Sequence, residues 1–577
     1  MDPTVTADDE YYDQTWEVAR IRTELEASKR NDSFFSLSSN SPLPPDMSGE
    51  KSDKDAEGSN VYDKPTSANS SIDDFNLENG VTRPYELKCN LINQCLQEEI
   101  GFGRYQQQLF VLSGLGWLAD NLWFQGVAIA LPQVQRELNP SRIEFTTLGL
   151  YAGLITGAMT WGILADLIGR RLSFNVTLCL AGIFGIAAGG ANNFVAFVAL
   201  VACTGFGVGG NLPVDGAMFL EHIPQSHQWL LTLLSAWWAL GQLVASVIAW
   251  GFISNFSCDQ NAAVCLKSQN MGWRYTLFTL GCMTFLIFVL RFVVFDLQES
   301  SKYLIAKGRD EEAIEVLQHL ARRNGKTITL TLEKLRSIED SSTVSRRTYW
   351  QLITDSFSNI SLSHITPLFR GRRLAINTTM VFSLWALIGL AYPLFNAFLA
   401  LYLSKRVSSS DSSFSVTYRN YTVLSILGIP GSLIACVVVD WTRKNGKWSI
   451  GGRKLVLAIS TGLTGIFLFL FTTSKTEVAV LGYSCASSVT QNAMYGVLYA
   501  YTPEVFPAPH RGTGDALAAS INRVAGILAP VIKITTTSKS GVGPSANAPV
   551  FVSASLFLVA AFIALLLPIE TAGKAAM

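Results

Sequence analysis

Twelve apolar stretches of about twenty residues each follow one another from Gln107 onward. A chain with that pattern cannot fold around one water-excluding core. A bilayer core about 30 Å thick takes ~20 mainly apolar residues per helix, which places spans near 108–133, 146–167, 173–191, 193–220, 229–253, 274–296, 374–402, 419–439, 455–473, 477–500, 514–535 and 549–568. Only 15% of the residues are charged, against roughly 25% in soluble domains. The expected fold is an all-α membrane protein, with twelve transmembrane helices in two six-helix halves.

Residues 1–106 form the first region, and residues 1–80 hold 18 acidic against 7 basic side chains. So polar a segment buries too little apolar surface to offset its ordering entropy, and it reads as a disordered acidic tail without a signal peptide. The first half is expected over 107–297, a linker with short helices over 298–373, the second half over 374–568 and a C-terminal tail over 569–577. Lys and Arg set the orientation. The linker carries 13 of them, and the short loops around Arg170 and Arg171 and around Arg443 to Lys454 are also basic. These loops share a side if both termini are cytoplasmic, as expected for a plasma-membrane protein. The sequons at Asn255 and Asn420 then fall outside, as does the loop with Cys258 and Cys265. There oxidation is permitted, so the two thiols either pair or stay free.

The halves echo each other. Gly157 precedes Asp166 by nine residues, and Asp166 opens D-L-I-G-R-R; Gly431 precedes Asp440 by nine, with Gly452, Arg453 and Lys454 following. Gly162, Asp166, Gly169, Arg170 and Arg171, with Asp440 and Arg453, read as a cytoplasmic latch repeated once per half. Glycines allow close helix approach there, and a carboxylate can cap a neighbouring helix. G-I-L-A-D-L-I-G-R-R resembles the signature of the major facilitator superfamily. Q-E-S-S-K-Y-L (298–304), Y-T-P-E-V-F-P (501–507) and P-I-E-T-A-G-K (568–574) are similar to segments of its sugar porters. G-L-G-W-L-A-D (114–120) and G-V-G-G-N-L-P-V (207–214) resemble the synaptic-vesicle-glycoprotein-like and organic-ion branch, in its fungal form. Departures from the pattern are Val201 for a span-four Arg, Ser301 for a Pro, and extra residues between Asp440 and Gly452.

Ionisable groups inside spans are costly and mark function. Asp120 lies near the centre of span one, on a face with Ser113, Gly116, Trp117 and Phe124, as a candidate for proton coupling or substrate contact. Arg523 lies deep in span eleven and cannot shed its charge, so it needs an anion. The resemblance implies an organic anion where this position is Arg; the alternative is a structural pair with Asp120 or Asp215. Asp215, near the cytoplasmic end of span four, is a further candidate for proton coupling or substrate contact and is expected to be half-solvated. Asn211, Trp238, Gln242, Tyr392, Asn396, Asn492, Tyr495 and Tyr499 complete the expected cavity, an aromatic and amide lining suited to a small solute.

No phosphate-binding GxxxxGK[ST] loop, nucleophile–base set or metal-ligand cluster is present in the sequence. Neither an enzyme nor a cofactor-bearing or nucleic-acid-binding protein is expected. The reading is a monomeric secondary active transporter of a small organic solute, alternating access between its halves and coupled to protons. Two alternatives stand: a proton-antiport efflux pump, and a non-transporting membrane receptor or scaffold.

Overall fold

In a computed structural model, residues 83–571 are described, apart from 169, 228, 259–264, 339–365, 408–413, 439–441, 446–447, 507–510 and 537–546. A helix α1 (Arg83–Gln94) runs through a wide turn (Cys95–Ile100) to the first half. That half comprises α2 (Arg104–Leu138), α3 (Phe145–Ile168), α4 (Arg170–Gly189), the broken pair α5 (Phe194–Val208) and α6 (Asn211–His222), α7 (Leu230–Asn255) and α8 (Gly272–Val289), which ends in a π turn over Leu290–Val294. The linker holds α9 (Ser301–Ala306), α10 (Asp310–Arg323) and α11 (Leu332–Arg336). The second half comprises α12 (Arg372–Asn396) with the short α13 (Leu399–Val407), α14 (Phe414–Val438), α15 (Arg453–Thr473), α16 (Glu477–Val505), the broken pair α17 (Arg511–Gly526) and α18 (Leu528–Thr536), and α19 (Ala548–Leu566). Counting each broken pair once gives twelve membrane-crossing helices among the described residues. Eight described stretches are long and apolar enough to cross a membrane, one of them (Leu517–Thr535) running across α17 and α18. Others, such as α2 with Asp120, Asn121 and Gln125, are too polar at the centre to register as purely hydrophobic.

The packing repeats. In the first half α3 lies on α5, α4 on α8 and α2 on α7; in the second α14 lies on α16, α15 on α19 and α12 on α17. Gly157 of α3 meets the Phe206 backbone of α5, and Gly431 of α14 meets the Val489 backbone of α16 at the matching place. A β-carbon at either position would strike a main-chain carbonyl, so the paired glycines set how closely these helices approach. Contacts of α7 with α14 and of α3 with α17 join the halves. The residues inserted after Asp440 form a two-stranded antiparallel ribbon, β1 (Thr442–Asn445) and β2 (Trp448–Gly451), with Asn445 opposite Trp448.

On the linker side α1 acts as a strap over α10. Ile92, Cys95, Leu96 and Ile100 share an apolar cluster with Ala313, Leu317 and Leu320. The buried Lys88–Asp310 pair closes at 2.6 Å. The Glu99 carboxylate accepts from the Thr329 amide at 2.6 Å and from its hydroxyl at 2.5 Å.

Candidate functional site

The site is built around the break between α5 and α6. A helix carbonyl is ordinarily satisfied by the amide four residues on, but Pro213 has none, so the Gly209 carbonyl lacks its helical donor. Arg523 of α17 fills that place, donating from Nη1 at 2.7 Å across the interface between the halves. The Arg523 side chain is buried, and this is its one hydrogen bond among the described residues, which leaves further N–H groups for a ligand. Two residues beyond Gly209, Asn211 donates from Nδ2 to Asp120 Oδ1 at 2.9 Å.

Asp120 is buried and its Oδ2 has no hydrogen-bond partner among the described residues; the same holds for Ser113 Oγ and Trp117 Nε1. Ser113, Trp117 and Asp120 stand at i, i+4 and i+7, so α2 turns a row of unsatisfied polar atoms to one side. Buried polar atoms of this kind ordinarily have partners, so this face of α2 can accept a polar ligand or water. Asp120 and Arg523 lie within electrostatic reach of each other but form no ion pair. The second-half wall is aromatic: the Trp117 ring packs on Tyr499 at 5.2 Å, Tyr499 on Trp385 at 4.9 Å and Tyr392 on Tyr495 at 5.1 Å.

Tyr392 is a hub between the halves. Its hydroxyl accepts from Gln125 Nε2 of α2 at 3.2 Å and interacts with Trp238 of α7. Gln125 in turn accepts from the Tyr421 hydroxyl of α14. Asn396 donates to Gln491 Oε1 at 2.7 Å. Asn492 bonds back to the Ser488 carbonyl of its own helix at 2.9 Å and packs beside Gly428 of α14. Gln242 is buried on α7. Sequence reasoning missed Gln125, Tyr421, Gln491 and Trp385; a glutamine in mid-span is itself a polar signal that could have found the first and third.

Asp215 departs from expectation. It is fully buried, not half-solvated, and pairs with Arg291 Nη2 at 2.7 Å, both side chains being 0% exposed. Arg291 sits in the π turn that closes α8, and it also donates to the Leu112 and Phe174 carbonyls and stacks over the Phe174 ring at 3.7 Å. The pair is compensated on every side because Gly116 offers no side chain where the carboxylate and guanidinium meet. With its charge spent this way, Asp215 is a brace at the end of the bundle.

The latch is partly described. Gly169 and Asp440 lie outside the described residues, and of Gly162 and Asp166 only the helical backbone is described. Where the arginines are seen, the two halves match. Glu299 accepts from the Arg170 and Arg171 amides at 3.1 Å each, capping α4, while the Arg170 side chain pairs with Glu221. Glu570 accepts from the Arg453 and Lys454 amides at 3.1 and 3.3 Å, capping α15, while Arg453 pairs with Glu504. A carboxylate on the first amides of a helix is favoured by both hydrogen bonding and the dipole. The glutamates of the Q-E-S-S and P-I-E-T segments thus perform one task, once per half.

Cys258 and Cys265 form a disulfide with their Cα atoms 5.8 Å apart. Asn255 is exposed. Asn420 is buried and donates to Glu477 at 3.1 Å, so the folded chain does not present it as a glycan acceptor, against the expectation from its sequon.

The sequence model of the sugar (and other) transporter family matches residues 109–577. MFS siderochrome iron transporter 1 of Ceriporiopsis subvermispora is 46% identical over 509 residues, 87% of this chain and 94% of that protein. Major facilitator-type transporter hxnZ of Emericella nidulans is 39% identical, over 88% of this chain and 92% of that protein. The solved proton:xylose symporter XylE, with 6-bromo-6-deoxy-D-glucose bound, superposes with a TM-score of 0.60 at 17% identity, covering 82% of this chain and 98% of the other.

Proposed function

We propose that this chain, which belongs to the sugar (and other) transporter family of the major facilitator superfamily, is a proton-coupled secondary transporter of a small carboxylate-bearing solute. The family makes it a membrane transporter. The solute class rests on the observation that Arg523 and Asp120 lie within electrostatic reach of each other yet unpaired, with unsatisfied polar atoms on the same face of α2 as Asp120. A planar guanidinium suits a carboxylate. A carboxylate solute would take the free N–H groups of Arg523, the tyrosines would flank its body, and Trp117 and Ser113 would meet its polar atoms. Asp120, bonded on one oxygen only, is the group that carries the proton. A relative 46% identical to this chain is named for siderochrome iron transport.

Alternating access then follows from the junction. The Arg523–Gly209 bond and the two bonds from Gln125 to Tyr392 and Tyr421 cross between halves and must break when these rock apart. A carboxylate on Arg523 replaces the acceptor that the guanidinium loses when it leaves the Gly209 carbonyl, so loading offsets part of the cost of the motion. The same reading puts the halves at 107–297 and 374–568. The linker, the latch and both termini then face the cytoplasm, and the chain sits in the plasma membrane.

Asp120→Asn tests the coupling. Reconstituted in liposomes, the variant is expected to lose pH-driven accumulation of monocarboxylates while retaining counterflow exchange. Accumulation at the parental level would rule out Asp120 as the proton carrier.

A further inference from the structure

A cavity of about 610 Å³ opens on the linker side, between the start of α4, the segment after α8 and α10. Its wall carries both signs of charge, and most are already committed. Glu299 is occupied by the Arg170, Arg171 and Ser300 amides. Arg309 and Glu312 hold each other by two hydrogen bonds. His319 stands 3.5 Å from Asp296. Arg171 and Arg322 remain without an ion-pair partner among the described residues; the latter only donates to the Gln318 carbonyl, at 3.3 Å. One uncommitted carboxylate, Glu315, lies in the same wall.

The cavity adjoins lipid-facing surface. Leu172, next to Arg171, is 51% exposed, and Phe292 and Val293, at the end of span six, are 68% and 72% exposed. Leu172 opens α4 beside Arg171, and Phe292 and Val293 close α8, the helix on which α4 packs. Free guanidiniums next to apolar surface, with a hydroxyl acceptor in the same charged wall, have the polarity of a phospholipid in its leaflet.

We propose that this cavity holds the polyol headgroup of a phosphoglyceride. Its phosphate rests on Arg171 and Arg322, its hydroxyls donate to Glu315, and its acyl chains follow Leu172, Phe292 and Val293. Guanidiniums match phosphate oxygens in paired geometry. Glu315 repels a bare phosphate dianion but accepts from a hydroxylated headgroup, which selects a polyol ester over inorganic phosphate. Since Arg171 belongs to a span and Arg322 to the linker, the bound lipid staples α10 to the first half.

The purified full chain is titrated with phosphatidylinositol, phosphatidylcholine, soluble glycerophosphoinositol and inorganic phosphate, reading retention by native mass spectrometry and melting temperature. Phosphatidylinositol should be retained about tenfold better than phosphatidylcholine and should raise the melting temperature, whereas the two soluble compounds should compete weakly. Arg322→Glu, at an exposed position, should melt like the parent without lipid and lose the preference; Arg171→Gln should lose it too. If Arg171→Gln fails to fold, Arg322→Glu decides alone. Undiminished retention by Arg322→Glu overturns the proposal. Competition by glycerophosphoinositol as strong as by the lipid assigns the cavity to a soluble phosphate ester and also overturns it. Neither readout depends on the transported solute.

Discussion

Replacing Arg291 by methionine removes a guanidinium whose every N–H-bearing nitrogen is engaged, Nε and Nη2 with Leu112, Nη1 with Phe174, and both Nη atoms with Asp215. What remains is the Asp215 carboxylate, 0% exposed and without its cation. Breaking one side of a buried pair costs ~3–5 kcal/mol, whereas replacing both partners with neutral or apolar groups of similar size is often close to neutral. Set against a typical stability of ~5–15 kcal/mol, the single change removes a large share. Arg291→Met should therefore aggregate or be retained inside the cell. Adding Asp215→Asn should restore most of the monodisperse yield, because no unpaired charge is then left. Fluorescence-detected size-exclusion after a heating series measures both variants. Parental survival of Arg291→Met, or a double variant no better than the single, would refute the view of Asp215 as a brace.

Gly452 has φ +84° and its α-hydrogen faces the Glu570 carboxylate, whereas Gly325 has φ +70° in open space. Gly452→Ala should cost more than the ~1–2 kcal/mol of left-handed strain that Gly325→Ala costs, read as a larger fall in melting temperature; equal falls would mean that Glu570 does not cap α15. Burial pushes the Glu99 carboxyl up, but the Thr329 hydroxyl and amide, the Cys95 thiol and the Lys334 charge outweigh it and hold the value below 4.5. A folded-state value below the unfolded one stabilises fully above the unfolded value, and that contribution fades as pH falls through the folded one. Amides of residues 83–103 should accordingly stay protected from hydrogen exchange down to about pH 4.5 and lose protection below it; Glu99→Gln should remove this dependence, and an unchanged profile would disprove the role of Glu99.

Much of the membrane architecture is legible in the sequence because each span announces itself locally, through some twenty apolar residues and basic flanks. The latch is legible for a related reason: Arg170 and Arg453 head their helices in both halves, and the repeat separates them from ordinary basic turns. Pairings between distant spans leave no local mark. Arg291 lies 76 residues from Asp215 and resembles any basic residue at the end of a span, so Asp215 looked solvated when its partner was merely remote. The break in span four is visible in G-V-G-G-N-L-P, yet the consequence that Pro213 frees a carbonyl for Arg523 needs the two helices in space. Asn420 shows the opposite failure, since a three-residue motif carries no information about burial.

Whether Arg523 holds the carboxylate of the solute is decided by measuring surface level and uptake together for Arg523→Ala and Arg523→Lys, against matched panels of organic anions and cations. A ligand-binding arginine predicts normal surface expression of both variants. It also predicts near-complete loss of anion uptake for the alanine, with weaker binding for the lysine, whose ammonium keeps the charge without the planar fork. Arg523→Ala at the normal surface level with anion uptake unchanged would contradict the assignment.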